Sequence, residues 1–106
     1  MFNLKFDENG LIPCVVQDIK TNQVLMLAYM NQESLKLTIE TRQTWFWSRT
    51  DKKLWRKGEI SGNTQKVAEL YKNCEDNSLL VKVEQVGVAC HTGNYSCFYR
   101  QLEDKS

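Results

Sequence analysis

Apolar residues fall in short runs separated by polar, turn-forming segments, and most runs favour strands over amphipathic helices. Leu11-Ile12-Pro13-Cys14-Val15-Val16-Gln17-Asp18 follows the turn signal Glu8-Asn9-Gly10. It reads as a strand whose proline sits near its start, where a missing N–H is tolerated. Thr21-Asn22-Gln23 is a polar connection into Val24-Leu25-Met26-Leu27-Ala28-Tyr29-Met30, a continuous run that suits a strand buried on both faces. Together these predict a hairpin or two neighbouring strands. Asn31 is a good helix N-cap, and Glu33 faces the positive end of the helix dipole. The helix is expected over 32–40, with Leu35, Thr38 and Ile39 on its buried side.

Thr44-Trp45-Phe46-Trp47-Ser48-Arg49 is aromatic and strand-favouring, and a turn at Asp51-Lys52-Lys53 leads into Leu54-Trp55-Arg56-Lys57 as a second hairpin. Trp45 and Trp47 share one face of that strand and are assigned to the core, with Phe46 pointing the other way. Trp55 is assigned to the core as well. The stretch 64–73 fits two templates. Val67, Leu70, Tyr71 and Cys74 match helical spacing, whereas Ala68, Leu70 and Cys74 match alternation with Lys72 out of phase. A strand paired with Leu79-Leu80-Val81-Lys82-Val83-Glu84-Gln85-Val86 around the polar turn 73–78 is the simpler topology. The pattern is α+β: a small, mostly β domain with one or two helices.

A chain of 106 residues holds one core, so residues 1–106 are read as a single domain. Its formal net charge of +1 gives no global field toward nucleic acid or an acidic membrane. No basic region precedes an apolar run at the N-terminus, so a secretory signal is not expected. The longest apolar run falls far short of the ~20 residues that span a bilayer. The expected location is the cytoplasm, where four cysteines are thiols or metal ligands rather than a disulfide framework.

Cys90-His91-Thr92-Gly93-Asn94-Tyr95-Ser96-Cys97 concentrates the candidate chemistry. Cys90 and Cys97 flank a polar, glycine-containing turn that is poor core material, and Cys74 sits in another polar turn. Cys14, inside an apolar strand, fits packing and is excluded. Spacings of sixteen and seven residues are unlike the two-residue knuckle of structural zinc modules. Three protein ligands leave a fourth tetrahedral position open, as in catalytic zinc sites. Zinc lowers the pKa of a bound water from 15.7 toward roughly 7. Three thiolates weaken that effect, which gives a nearby proton acceptor more to do. His91 is the one imidazole in the chain, and an imidazole suits proton transfer near neutrality.

Several ordered motifs, spread over roughly residues 11 to 100, carry a resemblance. They are Leu11-Ile12-Pro13, Gln17-Asp18, residues 24–31, Phe46-Trp47-Ser48-Arg49, Leu54-Trp55-Arg56-Lys57-Gly58-Glu59, Ser61-Gly62-Asn63, Cys90-His91-Thr92-Gly93 and Ser96-Cys97-Phe98-Tyr99. Together they resemble the phosphoribosyl-AMP cyclohydrolase family of histidine biosynthesis. The resemblance implies hydrolytic opening of the adenine ring of 1-(5-phosphoribosyl)-AMP, with water added at carbon 6 and its bond to nitrogen 1 broken. It also implies zinc held by Cys74, Cys90 and Cys97, the first from the opposite subunit, and hence an intertwined homodimer with shared zinc sites. His91 matches the family's proposed base. The pyrophosphohydrolase domain that some members carry next is not expected after Ser106.

The family surrounds its first zinc cysteine with three aspartates that serve as a magnesium site. Here those positions are Asn73, Glu75 and Asn77. Magnesium prefers an octahedron of oxygens with carboxylate charge, and two of the three charges are gone. The partner implied is a small-molecule nucleotide with two phosphate groups. Ser48, Arg49, Arg56, Lys57, Ser61, Asn63 and Thr92 are the candidates to bind it, arginine offering a bidentate fork. Glu59 is a candidate to orient the purine or relay protons. Two other readings stand beside this one. Aromatics interleaved with Arg49, Lys52, Lys53, Arg56 and Lys57 suit a single-stranded nucleic-acid-binding module. The altered acidic turn suits a catalytically silent zinc-binding homologue.

Overall fold

The computed structural model describes residues 3–103; residues 1, 2 and 104–106 of the expected domain lie outside the described residues. Strands β1 (Ile12–Asp18) and β2 (Val24–Met30) form an antiparallel hairpin, and helix α1 (Gln32–Thr41) follows. Strands β3 (Trp45–Ser48) and β4 (Lys53–Arg56) make a separate two-stranded sheet. Strands β5 (Gln65–Lys72) and β6 (Leu79–Gln85) form a second long hairpin. β6 then lies parallel to β1, giving a four-stranded sheet in the order β2-β1-β6-β5. The domain is small and mostly β, with one helix among the described residues.

Local chemistry accounts for the element ends. Asp7 closes the first turn by accepting from the N–H groups of Asn9 and Leu11, at 2.8 and 2.9 Å. Asn31 and Ser34 cap α1 reciprocally, each side chain taking the other's backbone N–H at 2.8 Å. The helix ends on Arg42 in the left-handed conformation. Thr38, buried on α1, accepts from the Trp45 N–H at 2.9 Å and so ties the helix to β3.

Two sequence expectations need correction, and a third is explained. β2 is an edge strand of the sheet, and it is not buried on both faces: Val24 and Leu27 are 40% and 49% exposed. On β3 it is Phe46 that is fully buried, packed at 5.1 Å from Trp55, while Trp45 and Trp47 are half-buried on the other face. Alternation correctly placed the two tryptophans together, but a four-residue strand sends little more than one large side chain inward, and here that is Phe46. The segment 65–72 is a strand, as adopted, and its confusing periodicity has a physical cause. The register shifts between Val67 and Glu69, so inward positions run Gln65, Val67 and then Leu70.

Gln65 also carries a buried polar bridge. Its side chain accepts from the Thr44 hydroxyl at 2.9 Å and donates to Gln85 Oε1 at 2.8 Å, joining the start of β3 to β5 and β6. The apolar core lies beneath the main sheet's buried side chains, with Ile12, Cys14, Val16, Leu25, Val81 and Val83 fully enclosed. Phe46→Ala should lower the unfolding free energy by about 3–5 kcal/mol in a denaturant titration. Trp47→Ala should cost clearly less; equal losses would contradict the assignment of Phe46 as the inward residue.

Candidate functional site

The cysteine segment begins just past β6, and glycines set its path. Gly87 has φ +67°, and a Cβ there would fall 2.3 Å from Asn63 Oδ1. Gly58 is equally confined, with Asn63 backbone atoms 2.6 Å from where its Cβ would be. Asn63 is therefore clasped between two glycines, which brings the 58–63 loop against the start of the cysteine segment. Beyond it the chain reverses on itself: Ala89 donates to Tyr95 O at 3.0 Å, Cys90 to Asn94 O at 3.1 Å and Gly93 to Cys90 O at 3.1 Å. Gly93 supplies the positive φ, +92°, that this turn requires.

The free edge of β2 then captures the loop. A register shift in the β1–β2 ladder leaves Leu25 with no opposite residue. Cys97 N–H donates to Leu25 O at 2.7 Å, and the Ser96 hydroxyl donates to Val24 O at 2.7 Å. Tyr95 donates its hydroxyl to the carboxylate of Asp18, the last residue of β1, whose other oxygen accepts from Lys20 N–H at 2.7 Å.

This folding brings two thiols together. Cys90 and Cys97 are near enough for each to influence the other's ionisation, and the ammonium of Lys57 is near enough to act on both. Lys57 is anchored by donating to Ala89 O at 2.5 Å. Thr92 Oγ1 lies 3.0 Å from Cys90 Sγ and accepts from Asn94 Nδ2 at 2.9 Å, which leaves its own proton for the sulfur. Hydrogen bonds from the Thr92 hydroxyl and backbone, with help from Lys57, hold the Cys90 thiol below its ordinary pKa against the opposing effect of burial. Burial, then the neighbouring Cys90, pushes Cys97 up. Cys90 is thus the first of the pair to become a thiolate. His91 follows directly and is exposed.

Cys74 is elsewhere. It is exposed in the turn joining β5 to β6, at the opposite end of β6 from Cys90. Seven residues of extended strand lie between, on the order of 20 Å at ~3.3 Å per residue. Among the described residues, no three His, Cys, Asp or Glu side chains of one chain come together as a metal site.

A cleft of about 420 Å³ opens along β2, lined among others by Tyr29, Ser48, Arg49, Trp55 and Glu59. The Arg49 guanidinium sits 4.0 Å above the Tyr29 ring, a cation–π contact that holds the fork at the cleft wall. The sequence-predicted residues therefore divide. Ser48, Arg49 and Glu59 line the cleft. Lys57 and Thr92 join the thiols. Asn63 is clasped between glycines, Ser61 supports it by accepting its N–H at 3.1 Å, and Arg56 on β4 pairs in register with Trp45 on β3.

Comparison with known proteins gives this arrangement its context. Residues 26–99 match the family model described as phosphoribosyl-AMP cyclohydrolase. The phosphoribosyl-AMP cyclohydrolase of Archaeoglobus fulgidus is 61% identical over 100 residues, covering 94% of this chain and 93% of that protein. That of Pelotomaculum thermopropionicum is 56% identical over 101 residues, or 95% of this chain and 78% of that protein. The chain belongs to the phosphoribosyl-AMP cyclohydrolase family. It is an enzyme of that family, whose place is in histidine biosynthesis. The histidine biosynthesis bifunctional protein HisIE of Caldanaerobacter subterraneus is 60% identical over 103 residues, and the chain spans half of that protein's length.

Within this cyclohydrolase-family domain, sequence reasoning missed Asp18, Tyr95 and Ser96 as the residues that seat the cysteine loop. One signal was legible. Ile12, Cys14, Val16 and Asp18 share the inward phase of β1, and a carboxylate at the end of a buried row needs a partner. Cys14 is a packing residue, as expected. Burial pushes its thiol up to about 12 from an ordinary 9.0. The unfolded chain therefore sheds this proton first, so the contribution of Cys14 to stability is intact below about pH 9 and is lost as pH climbs toward about 12. Cys14→Val should flatten part of the alkaline fall in the denaturation midpoint between neutral pH and about pH 10. An unchanged pH profile would contradict the buried, protonated thiol.

Proposed function

We propose that the chain hydrolyses 1-(5-phosphoribosyl)-AMP at a zinc site that Cys90 and Cys97 share with Cys74 of a second copy. The observation that carries this reading is the paired thiol geometry at residues 90 and 97 within a domain of this family. The donor set suits the metal, since thiolate-rich, four-coordinate sites are typical of zinc. Cys90 is held toward its thiolate by Thr92, and the Lys57 ammonium offsets the charge that converging thiolates would build up. Because Cys74 lies a strand's length from the pair, the third ligand comes most simply from a symmetry-related chain. Twofold exchange then builds two equivalent sites in an intertwined homodimer.

Zinc, when bound, supplies Lewis acidity that brings the pKa of water toward neutrality. The remaining work falls to the side chains. His91 takes the proton from the attacking water as its oxygen bonds to carbon 6 of the purine. The carbon 6–nitrogen 1 bond then breaks, and nitrogen 1 leaves with a proton. The cleft holds the nucleotide, with Arg49 and Ser48 gripping phosphate oxygens and Glu59 at the purine. Leu25, where Cys97 is hooked, and Leu27, on the cleft wall, are two residues apart on β2, or ~7 Å. Binding and chemistry therefore share one strand edge. Turnover of the nucleotide magnesium-free but zinc-loaded should be readily measured by the change in purine absorbance. Cys97→Ala should abolish it with the fold intact, and His91→Ala should lower kcat by about 10²–10⁴-fold while zinc is retained. Full activity in either variant would sink the corresponding role.

A further inference from the structure

The turn that presents Cys74 is closed by its own side chains. Asn73 Nδ2 donates to Asn77 Oδ1 at 2.6 Å, and Asn73 Oδ1 accepts from the N–H groups of Asn77 and Ser78 at 2.9 and 3.1 Å. The backbone repeats the closure, with Asn73 donating to Ser78 O and Asp76 to Asn73 O, both at 3.1 Å. Asp76 adopts a positive φ of 59° and pairs with the Lys72 ammonium at 2.8 Å. Its carbonyl also accepts from Lys5 N–H at 2.7 Å, which pins the turn to the N-terminal segment. The positions that resemblance associates with magnesium do not fit it. Magnesium needs near-octahedral oxygen ligands carrying carboxylate charge. Asn73 commits both side-chain polar atoms to the turn, Asn77 Oδ1 is engaged by Asn73, and Asp76 is engaged by Lys72. Glu75 is the one carboxylate left among the three family positions.

We infer that the Asn73–Asn77 amide bridge replaces a cation, so that the loop delivers Cys74 in fixed geometry without magnesium. The physical logic is substitution of one cross-link by another. Two carboxylates 2.6 Å apart repel and would require a bridging cation, whereas an amide N–H and an amide oxygen attract directly. Asn73 is thus a positioning residue, acting through the turn on its neighbour Cys74. The consequence for zinc rests on the ligand role proposed above for Cys74; the cation independence of the turn does not.

The test compares the wild type, Asn77→Asp and the double variant N73D/N77D, each freed of metals and reloaded with zinc. Melting temperature should be the same with and without millimolar magnesium in the wild type. It should also be unchanged in Asn77→Asp, where the Asn73 amide still donates to an oxygen. The double variant should melt several degrees lower in magnesium-free buffer and recover when magnesium is added. Independently of any variant, manganese titrated into wild-type protein should keep its free-ion paramagnetic resonance signal. A magnesium-dependent melting shift in the wild type, loss of that free manganese signal, or a double variant indifferent to magnesium would each overturn the inference. None of these readouts depends on turnover, so they stand apart from failure of the proposed activity.

Discussion

β6 is hydrogen-bonded along both edges, parallel to β1 on one side and antiparallel to β5 on the other. A strand held in this way is straight and cannot fold back on itself. It also carries a candidate ligand at each end: Cys74 in the turn before it, Cys90 in the loop after it. The buried faces of Leu79, Val81 and Val83 make that separation part of the core, not an adjustable feature of a loop. A metal that needs all three thiols therefore draws them from two chains. The dimer proposed here is a consequence of strand geometry before it is a matter of surface complementarity.

The two ends of β6 are stiffened by different means. At the Cys90 end the loop is hooked onto the exposed edge of β2, where the ladder's register shift leaves Leu25 unopposed and its carbonyl accepts from Cys97. Edge strands leave backbone groups unpaired, and this one spends two of them on residues 96 and 97. Tyr95 on Asp18 and Lys57 on Ala89 fix the same loop from two further directions. At the Cys74 end, amide hydrogen bonds within five residues do the equivalent work. Preorganised ligands lose little freedom on binding a metal, which is how such supporting contacts contribute to affinity.

Much of this was legible in the sequence, and the exceptions have causes. The strand runs at 11–18, 24–30 and 79–86, the Asn31 cap and the packing role of Cys14 all followed from pattern and local chemistry. The tryptophans of β3 misled because large aromatic rings suggest a core, whereas tertiary packing had room for Phe46. The segment 65–72 resisted assignment because a bulge breaks its period of two, and a bulge has no signature in composition. Cys90, Cys97, Thr92 and Lys57 were singled out, but their convergence depends on a β2 edge that sequence cannot display. Ser61 and Asn63 were candidates to bind the nucleotide, in a motif shared with the family. The packing of Asn63 against Gly58 and Gly87 is a further role that polarity could not reveal.

The central claim, that each zinc site draws on two chains, is tested most directly by mixing two variants that are each defective. Cys74→Ala and Cys97→Ala homodimers both lack a complete ligand set. A mixed dimer regains one intact site, from the Cys90 and Cys97 of one chain and the Cys74 of the other. After random exchange of subunits, roughly a quarter of the wild-type zinc content and turnover should return. No recovery on mixing, with both variants folded and exchanging, would contradict the shared site.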